Sequence, residues 1–585
     1  MQFADSFKYR WQFGSLFFTI LTACLICTNR LSWHILTTPL LTAFLISAPT
    51  SLLPGIIRIV VQIVVGEIVV AVCLVDAYCQ IYLKASISPH IFSVISQTNL
   101  SEASEFLSTF IGPNVFFQWR IIGLLLVGIL FPLSYIPAVK NKIGTRLLRF
   151  FPRGRRIRIV VAILLMVCLV VELPASVRFL QFFRSGANPD FVESLIFRNY
   201  HQDMPTPLHR LAYSWQTTSV SMRAMGMLRA NTYGATIDKT SHRSPHIVLV
   251  IGESFNKHHS SLYGYSLPTT PLQQRRMEKG ELFPFTDVVT PWNITSNAIL
   301  HLFAVGSDDS DGTLANRILF PILFRRAGYE VTFFSNQYRI KGFFSGATSE
   351  AGNFFLSDRD MSDSLFSYRN SRFSQRDMGI VRQLSEYYAK KTVTPFTLDI
   401  IHLKGQHFDY SLRYPSEESF FSVEDYADRG LDRQSVLTVM HYDNATRYND
   451  RVLDSLLLFY ESMESIVVFI SDHGEEIYDN LPVQGRLFQR PDKFQARNEY
   501  EVPMWIWCSQ RYFEVHPEII ASIKDATSRP LMSDNIPQLL LYLADINSRW
   551  VLEEQNVLSP SYRKSRRIIG GEVDYDNIIE KNHCN

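Results

Sequence analysis

Three apolar, β-branched runs in the C-terminal half of the chain end in groups that bind protons and metals. These runs are HIVLVIGES (246–254), FTLDIIHLKGQH (396–407) and SIVVFISDHGE (465–475), each typical of a buried strand. The polar residues at their ends are Glu253, His407, Asp472 and His473. Parallel strands bring their carboxyl ends to one edge of a sheet, where these groups would meet. Imidazole and carboxylate ligands without a thiolate suit zinc or manganese.

Each of these residues also has a purely structural alternative. Glu253 could cap a helix N-terminus, and Asp472-His473-Gly474 could form no more than a turn. His407 taken alone could be a structural histidine. Their joint appearance at strand ends favours the metal site over the separate structural roles.

A hydroxyl group that such a metal could activate occurs in VVTPWNITSNAIL (288–300). Thr290, Thr295 and Ser296 precede an apolar helical run in this segment. A hydroxyl beside a dication at a helix N-terminus can lose its proton and attack phosphorus. A helix N-cap is the alternative role for Thr295, and the residues alone leave both roles open.

The elements that must position these groups are alternating strands and helices from Pro245 onward. A fourth strand-like run, YEVTFFSNQ (329–337), and a helical stretch, Ser435–Tyr460, belong to this pattern. It predicts an α/β domain with a mostly parallel central sheet covered by helices.

The N-terminal third of the 585 residues has a different composition, with long apolar runs that predict membrane-spanning helices. The five predicted spans are Phe13–Thr28, Trp33–Leu53, Ile56–Leu83, Ile121–Val139 and Ile157–Val177. Glu67 and Asp76 fall within the third span, and we expect both to face the interior of the helix bundle because charge is costly in lipid.

Charge sets the expected orientation of these spans. The loop KNKIGTRLLRFFPRGRRIR (140–158) is strongly basic and contains no acid, which is typical of a cytoplasmic loop. Its position between two spans, and a net charge of only +2, argue against a nucleic-acid partner. With five spans, the N-terminus is then inside and the chain after about residue 178 is outside.

The chain therefore divides into three predicted parts. They are a transmembrane domain (1–178) with helices on the outer membrane face near 86–115, linker helices (179–243), and a catalytic domain (244–585). Outside the spans only Cys508 and Cys584 remain, so one disulfide is the most that this part could form.

Five motifs, in order, resemble the phosphoethanolamine transferases of Gram-negative inner membranes, in the alkaline phosphatase/sulfatase superfamily. The motifs are VIGESFNKHHSSLYGYSLPTTP (250–271), VVTPWNIT (288–295), HLKGQHFDYSLRYP (402–415), YDNATRYND (442–450) and SDHGEE (471–476). Each motif is weak alone, but five in order at compatible spacing are specific.

The resemblance implies a zinc-dependent enzyme with one metal site. Glu253, Thr295, Asp472 and His473 would hold the zinc, Thr295 would be the nucleophile, and His407 would contact the substrate phosphate. The enzyme would transfer phosphoethanolamine from phosphatidylethanolamine through a phosphothreonine to an envelope acceptor, such as lipid A or the lipopolysaccharide core. It would be a multi-pass protein of the bacterial inner membrane, with its catalytic domain in the periplasm.

The sequence departs from the family pattern at Arg486, where many relatives carry a histidine after SDHGE. Arginine cannot ligate zinc near neutral pH, so a second metal is doubtful, and we expect Arg486 to bind phosphate. Between the third and fourth predicted spans, QTNLSEASEFL (97–107) also resembles a family segment. Asn99 and Glu102 there would contact the substrate, unless they form only a solvated helix face.

Two other functions compete with this interpretation. A phosphoglycerol transferase of the same superfamily would use the same metal and threonine with a different donor. A non-catalytic membrane protein that binds lipid or serves as a scaffold would need none of the Glu/Thr/Asp/His set. A sulfatase is disfavoured because PWNITSNAI (291–299) lacks the C/S-x-P-x-R pattern that formylglycine requires.

Overall fold

The structure is a computed structural model of the chain. It describes residues 10–27, 34–83, 86–87, 117–136, 206–305, 316–337, 354–391, 394–486, 491–571 and 573–580, with six isolated positions between 163 and 177. The chain forms two compact units, Met1–Ser221 and Met222–Asn585.

Helices make up most of the described part of the first unit, and the first four are apolar. They are α1 (Arg10–Cys27), α2 (His34–Thr50), α3 (Gly55–Tyr78), α4 (Trp119–Leu133) and the start of α5 (Pro207–Gly234). Among the described residues, one helix, Gly55–Ile81, is long and apolar enough to cross a membrane. The fifth predicted span, the predicted outer-face helices and the basic loop lie largely or wholly outside the described residues, so the count of five spans stays a prediction.

The acidic residues of the third predicted span have different surroundings. Asp76 is fully buried and pairs with Arg210, whose Nη2 lies 2.5 Å from Asp76 Oδ2. It also accepts hydrogen bonds from Gln80 Nε2 at 2.7 Å and from the backbone N–H of Ile87 at 2.8 Å. Glu67 faces α4. Its Oε2 lies so close to Gly128 of that helix that a Cβ added to the glycine would be 3.4 Å away. Asp76 therefore has a structural role within this unit.

A seven-stranded sheet organises the second unit. Its strands are β1 (His246–Gly252), β2 (Leu282–Phe285), β3 (Glu330–Ser335), β4 (Tyr368–Arg369), β5 (Thr397–His402), β6 (Ser465–Ser471) and β7 (Met504–Cys508), in the spatial order β2-β7-β6-β1-β5-β3-β4. Side chains of β1 alternate between its two faces. Ile247 and Leu249 pack into one apolar cluster, and Val248 and Val250 pack into the cluster on the other face.

The second unit also contains helices, several of which pack on this sheet. They are α6 (Pro271–Glu278), α7 (Thr295–Phe303), α8 (Pro321–Arg326), α9 (Phe354–Ser357), α10 (Arg359–Leu365), α11 (Met378–Ala389), α12 (Arg433–Tyr460), α13 (Lys493–Gln495), α14 (Gln510–Val515), α15 (Pro517–Ala526), α16 (Ile536–Leu543) and α17 (Tyr575–Glu580). Asp432 caps α12 by accepting from the backbone N–H groups of Gln434 and Ser435. This helix begins at Arg433, two residues before the start at Ser435 that the sequence pattern indicated.

The expectation of a mostly parallel sheet is wrong, because the sheet is mixed. Strand β7 runs antiparallel to both of its neighbours, β6 and β2, whereas β6, β1, β5, β3 and β4 pair in parallel. The chain returns from β6 to β7 without the long crossover helix that a parallel partner needs. The four strands that the sequence indicated all belong to the parallel part.

Candidate active site

The carboxyl ends of β1 and β6 bring three potential metal ligands together. These two strands are parallel neighbours, with Ser471 opposite Gly252, so the residues that follow them emerge side by side. Glu253, Asp472 and His473 are all fully buried, and one ligand atom of each lies within 4.8 Å of the others. The predicted convergence of three groups from distant parts of the sequence is therefore present in the fold.

The local backbone fixes the orientation of Glu253. Ser254 adopts a φ of 57°, which is uncommon for a non-glycine residue, and its N–H donates to Asp472 Oδ1 at 3.1 Å. The backbone of Gly405, which has a φ of 47°, packs against the backbone of Glu253. A Cβ at Gly405 would lie 2.7 Å from the carbonyl oxygen of Glu253, so only glycine fits there.

Thr295 brings a hydroxyl to this triad. It is the first residue of α7, and Ile294 occupies the N-cap position. The Thr295 hydroxyl donates to Glu253 Oε1 at 3.2 Å and lies 3.1 Å from His473 Nε2. Its neighbours in the chain are buried, whereas Thr295 is partly exposed. The hydroxyl therefore faces the triad rather than capping the helix, and the residue that carries it is not closed off from solvent.

The donor set fits a zinc ion. His473 Nε2 lies 3.4 Å from Glu253 Oε1 and 3.3 Å from Asp472 Oδ2. Two ligand atoms that are each bonded to a tetrahedral zinc at roughly 2.1 Å lie about 3.4 Å from one another. Asp472 Oδ2 is buried and accepts no hydrogen bond from any described residue. A dication would satisfy this carboxylate oxygen and relieve its repulsion with Glu253.

The protonation states of the triad also suit a cation. Burial lowers the pKa of His473, and the charge of Arg486 lowers it further. Its Nδ1 donates to the carbonyl of Gly474 at 2.7 Å, so the lone pair lies on Nε2. Burial alone would raise the pKa of Glu253, but the nearby basic side chains of His407 and Arg486 oppose that effect, and the pKa lies well below its ordinary value. An ionised carboxylate and a neutral imidazole are the forms that ligate zinc.

Arg486 lies at the same site. The two-residue strands Glu476–Ile477 and Gln484–Gly485 pair antiparallel, and Arg486 follows this hairpin. Its Nη1 donates to the carbonyl of Asn293 at 3.2 Å and lies 2.8 Å from His473 Nε2. The guanidinium is therefore within reach of a phosphate that contacts Thr295.

His407 lies at the edge of this arrangement, partly exposed, with its Nδ1 2.8 Å from the carbonyl of Phe408. Its charge contributes to the lowered pKa of Glu253. Asn99 and Glu102 lie outside the described residues, so their predicted contact with substrate stays a prediction.

Two residues of the site were missed in the sequence. Gln337 donates from Nε2 to Glu253 Oε2 at 2.9 Å and to the carbonyl of Leu403 at 2.7 Å. It follows strand β3, so its position at a strand end was the available signal. Glu475 is also buried, and burial raises its pKa to about 8 although Arg486 opposes the shift.

Comparison with known proteins identifies relatives of this chain. Residues 245–546 match the Sulfatase family model. The chain is 25% identical over 547 residues to phosphoethanolamine transferase EptC of Escherichia coli K12, covering 91% of this chain and 88% of the relative. It is 25% identical over 583 residues to phosphoethanolamine transferase CptA of Salmonella typhimurium LT2, covering 97% of this chain and 95% of that relative.

Solved structures give the same result. The crystal structure of the C-terminal periplasmic domain of EptC from Escherichia coli, in complex with zinc, has a TM-score of 0.50 and 25% identity, covering 59% of this chain and 96% of that domain. The integral membrane protein EptA from Neisseria meningitidis aligns with a TM-score of 0.50 and 20% identity, covering 95% of this chain and 98% of that protein. At this identity the likeness is one of fold. These relatives confirm the predicted resemblance to phosphoethanolamine transferases. The chain belongs to the sulfatase family, whose model matches just over half of its 585 residues.

Proposed function

We propose that this protein is a zinc-dependent phosphoethanolamine transferase. It takes phosphoethanolamine from phosphatidylethanolamine and passes it, through a phosphothreonine at Thr295, to an envelope lipid or glycan such as lipid A or the lipopolysaccharide core. The observation that carries this proposal is the position of the Thr295 hydroxyl, 3.2 Å from Glu253 Oε1 and 3.1 Å from His473 Nε2.

The residues of the chain have separate tasks in this reaction. Glu253 Oε1 accepts the hydrogen of the Thr295 hydroxyl, which is the proton that must leave before attack on phosphorus. Arg486 binds the phosphate and orients it toward Thr295. The first N–H groups of α7 add positive potential at the same place.

A zinc ion held by Glu253, Thr295, Asp472 and His473 would lower the pKa of the hydroxyl and neutralise the charge of the phosphoryl oxygens. One site is proposed, because a single group of three clustered metal-ligand side chains is found among the described residues. Arg486 offers no lone pair for a second ion.

The donor is a bilayer lipid, and we place the enzyme in the bacterial inner membrane with several spans. The transmembrane domain would comprise 1–178, the linker 179–243 and the periplasmic catalytic domain 244–585. The apolar helices α1 to α4 and the periplasmic location of the similar EptC domain from Escherichia coli support this arrangement. The basic loop 140–158 would then lie in the cytoplasm.

A transfer assay in membranes tests this function. Phosphatidylethanolamine labelled in its ethanolamine group should deliver label to lipopolysaccharide and release diacylglycerol. Thr295→Ala should abolish both products, and Thr295→Ser, which keeps a hydroxyl, should retain part of the activity. Full label transfer by well-expressed Thr295→Ala would refute the proposal. Transfer from phosphatidylglycerol, with none from phosphatidylethanolamine, would indicate the phosphoglycerol alternative.

A further inference from the structure

A buried ion-pair network lies between the loop that follows β1 and the hairpin of residues 476–485. His259, in that loop, is fully buried. Its Nδ1 lies 2.6 Å from Asp443 Oδ1 in α12, and its Nε2 lies 3.0 Å from Asp479 Oδ2 in the hairpin. An ionised carboxylate can only accept a hydrogen bond. Both ring nitrogens must therefore carry a proton, so the ring is an imidazolium between two carboxylates.

Asp443 is the fixed end of this network. Its side chain is fully buried in α12, and its Oδ2 accepts from the hydroxyls of Tyr265 at 2.8 Å and Tyr426 at 2.7 Å. With these two bonds and the one from His259, the carboxylate has three donors from three segments of the chain. The position of the His259 ring on this side is therefore set by a fully bonded partner.

The loop that carries His259 is also tied to the metal triad. The Tyr442 hydroxyl donates to the carbonyl of Ser254 at 2.6 Å and accepts from the N–H of Asn256 at 2.7 Å. Ser254 directly follows the metal ligand Glu253. These hydrogen bonds fix the chain between Glu253 and His259, so the imidazolium keeps a defined position relative to the triad.

The hairpin on the other side of His259 has a turn that needs contacts from outside. Tyr478 has a φ of 56°, which costs free energy in a residue other than glycine and persists only where the surroundings hold it. The next residue, Asp479, faces two cations, the imidazolium of His259 and the guanidinium of Arg429, whose Nη2 lies 3.3 Å from Asp479 Oδ1. These cations hold the strained turn against the rest of the domain.

The hairpin keeps further contacts when the bond to His259 is removed. Asn498 Nδ2 donates to Glu476 Oε2 at 2.6 Å and to Asn480 Oδ1 at 3.1 Å. Ile477 is fully buried in an apolar cluster. Loss of the ion pair should therefore shift the hairpin rather than unfold it.

Such a shift would be felt at Arg486, which directly follows the hairpin. Gly485 pairs with Glu476 across the two short strands, and the Arg486 guanidinium then reaches to within 2.8 Å of His473 Nε2. Misplacement of a phosphate-binding group by about 1 Å is enough to slow a reaction considerably. The position of the hairpin therefore determines where the guanidinium can bind phosphate.

We propose, on the basis of the function proposed above, that His259 and Asp479 are positioning residues for Arg486. Their ion pair fixes the hairpin, and the hairpin holds the guanidinium where it meets a phosphoryl group on Thr295. Neither residue acts on the substrate itself, since the His259 ring is enclosed and each of its nitrogens is bound to a carboxylate.

A double-mutant cycle in the full-length protein tests this inference, with kcat/KM for transfer of labelled phosphoethanolamine as the readout. Asp479→Asn, at a partly exposed position, should lower kcat/KM about tenfold without lowering the zinc content. In the Arg486→Ala background the same change should have no further effect, because the residue through which it acts is gone. Asp479→Glu, which keeps the carboxylate, should retain more activity than Asp479→Asn, and His259→Gln should act in the same direction as Asp479→Asn.

His258→Gln is the matched control. This neighbouring histidine also faces a carboxylate, with its Nε2 2.9 Å from Glu501 Oε2, but Glu501 lies outside the hairpin. Its replacement should leave kcat/KM at the wild-type value. An equal loss from Asp479→Asn with and without Arg486, or wild-type kcat/KM in both Asp479→Asn and His259→Gln, would overturn the inference. Absence of any phosphothreonine in the wild-type protein would instead refute the proposed function.

Discussion

Replacement of Arg486 by alanine is the sharpest test of the departure from the relatives' pattern. The guanidinium lies 2.8 Å from His473 Nε2, beside the Thr295 hydroxyl, but it has no lone pair for a metal. Arg486→Ala should therefore not lower the zinc content. The variant should lose one or two charge-assisted hydrogen bonds to phosphate, worth about 1.5–3 kcal/mol each. A single such bond corresponds to a fall in kcat/KM of roughly 10- to 150-fold.

The assay measures zinc by mass spectrometry on purified protein and transfer by release of labelled diacylglycerol. Lys493→Ala is the matched control, since this exposed lysine lies in the same basic segment and should have no effect. Loss of zinc from Arg486→Ala would make the arginine part of the metal site. Wild-type kcat/KM in Arg486→Ala would remove it from phosphate binding.

We make three further predictions, two from contacts around the triad and one from a buried group of ion pairs. Gln337→Leu removes the donor to Glu253 Oε2 and should weaken zinc binding about 10- to 100-fold in a chelator competition titration; unchanged affinity would contradict the orienting role. Gly405→Ala forces a Cβ to within 2.7 Å of Glu253 and should lower both Tm and zinc occupancy, with at least about 1 kcal/mol from the left-handed backbone alone. Burial alone would lower the pKa of His259, but Asp479 and Asp443 raise it to about 10. The stability that protonated His259 contributes is thus complete below about pH 6.5 and is lost as pH rises through about 10, so His259→Gln should flatten the fall in Tm between pH 7 and 10. An unchanged slope would mean that the ion pairs with His259 do not stabilise the fold.

The chemistry at the strand ends was predictable from the sequence because it is local. Strands β1 and β6 end before Glu253 and Asp472, as the change from apolar to polar residues indicated. Because these two strands are neighbours in the sheet and pair in parallel, the side chains of Glu253 and Asp472 lie close together. The role of Thr295 was left open between nucleophile and cap, and only the fold shows that its hydroxyl faces Glu253.

Other features depend on contacts between distant residues and could not be found by spacing. Gln337 is separated from Glu253 by 84 residues, and apart from its place at a strand end an amide carries no chemistry that distinguishes it from a surface residue. The direction of β7 depends on the course of the chain after β6, which periodicity does not encode. Strand β2 contains Pro284, which argues against a strand in a sequence-based assignment.

The most direct test of the central claim is covalent. Full-length protein in membranes is incubated with phosphatidylethanolamine, quenched in acid without acceptor, and digested for mass spectrometry. The peptide that contains Thr295 should carry one phosphoethanolamine group on that residue in the zinc-loaded protein, and none after zinc removal or in Asp472→Asn. A modification on another residue, or an unmodified Thr295 under conditions in which diacylglycerol is released, would contradict the account.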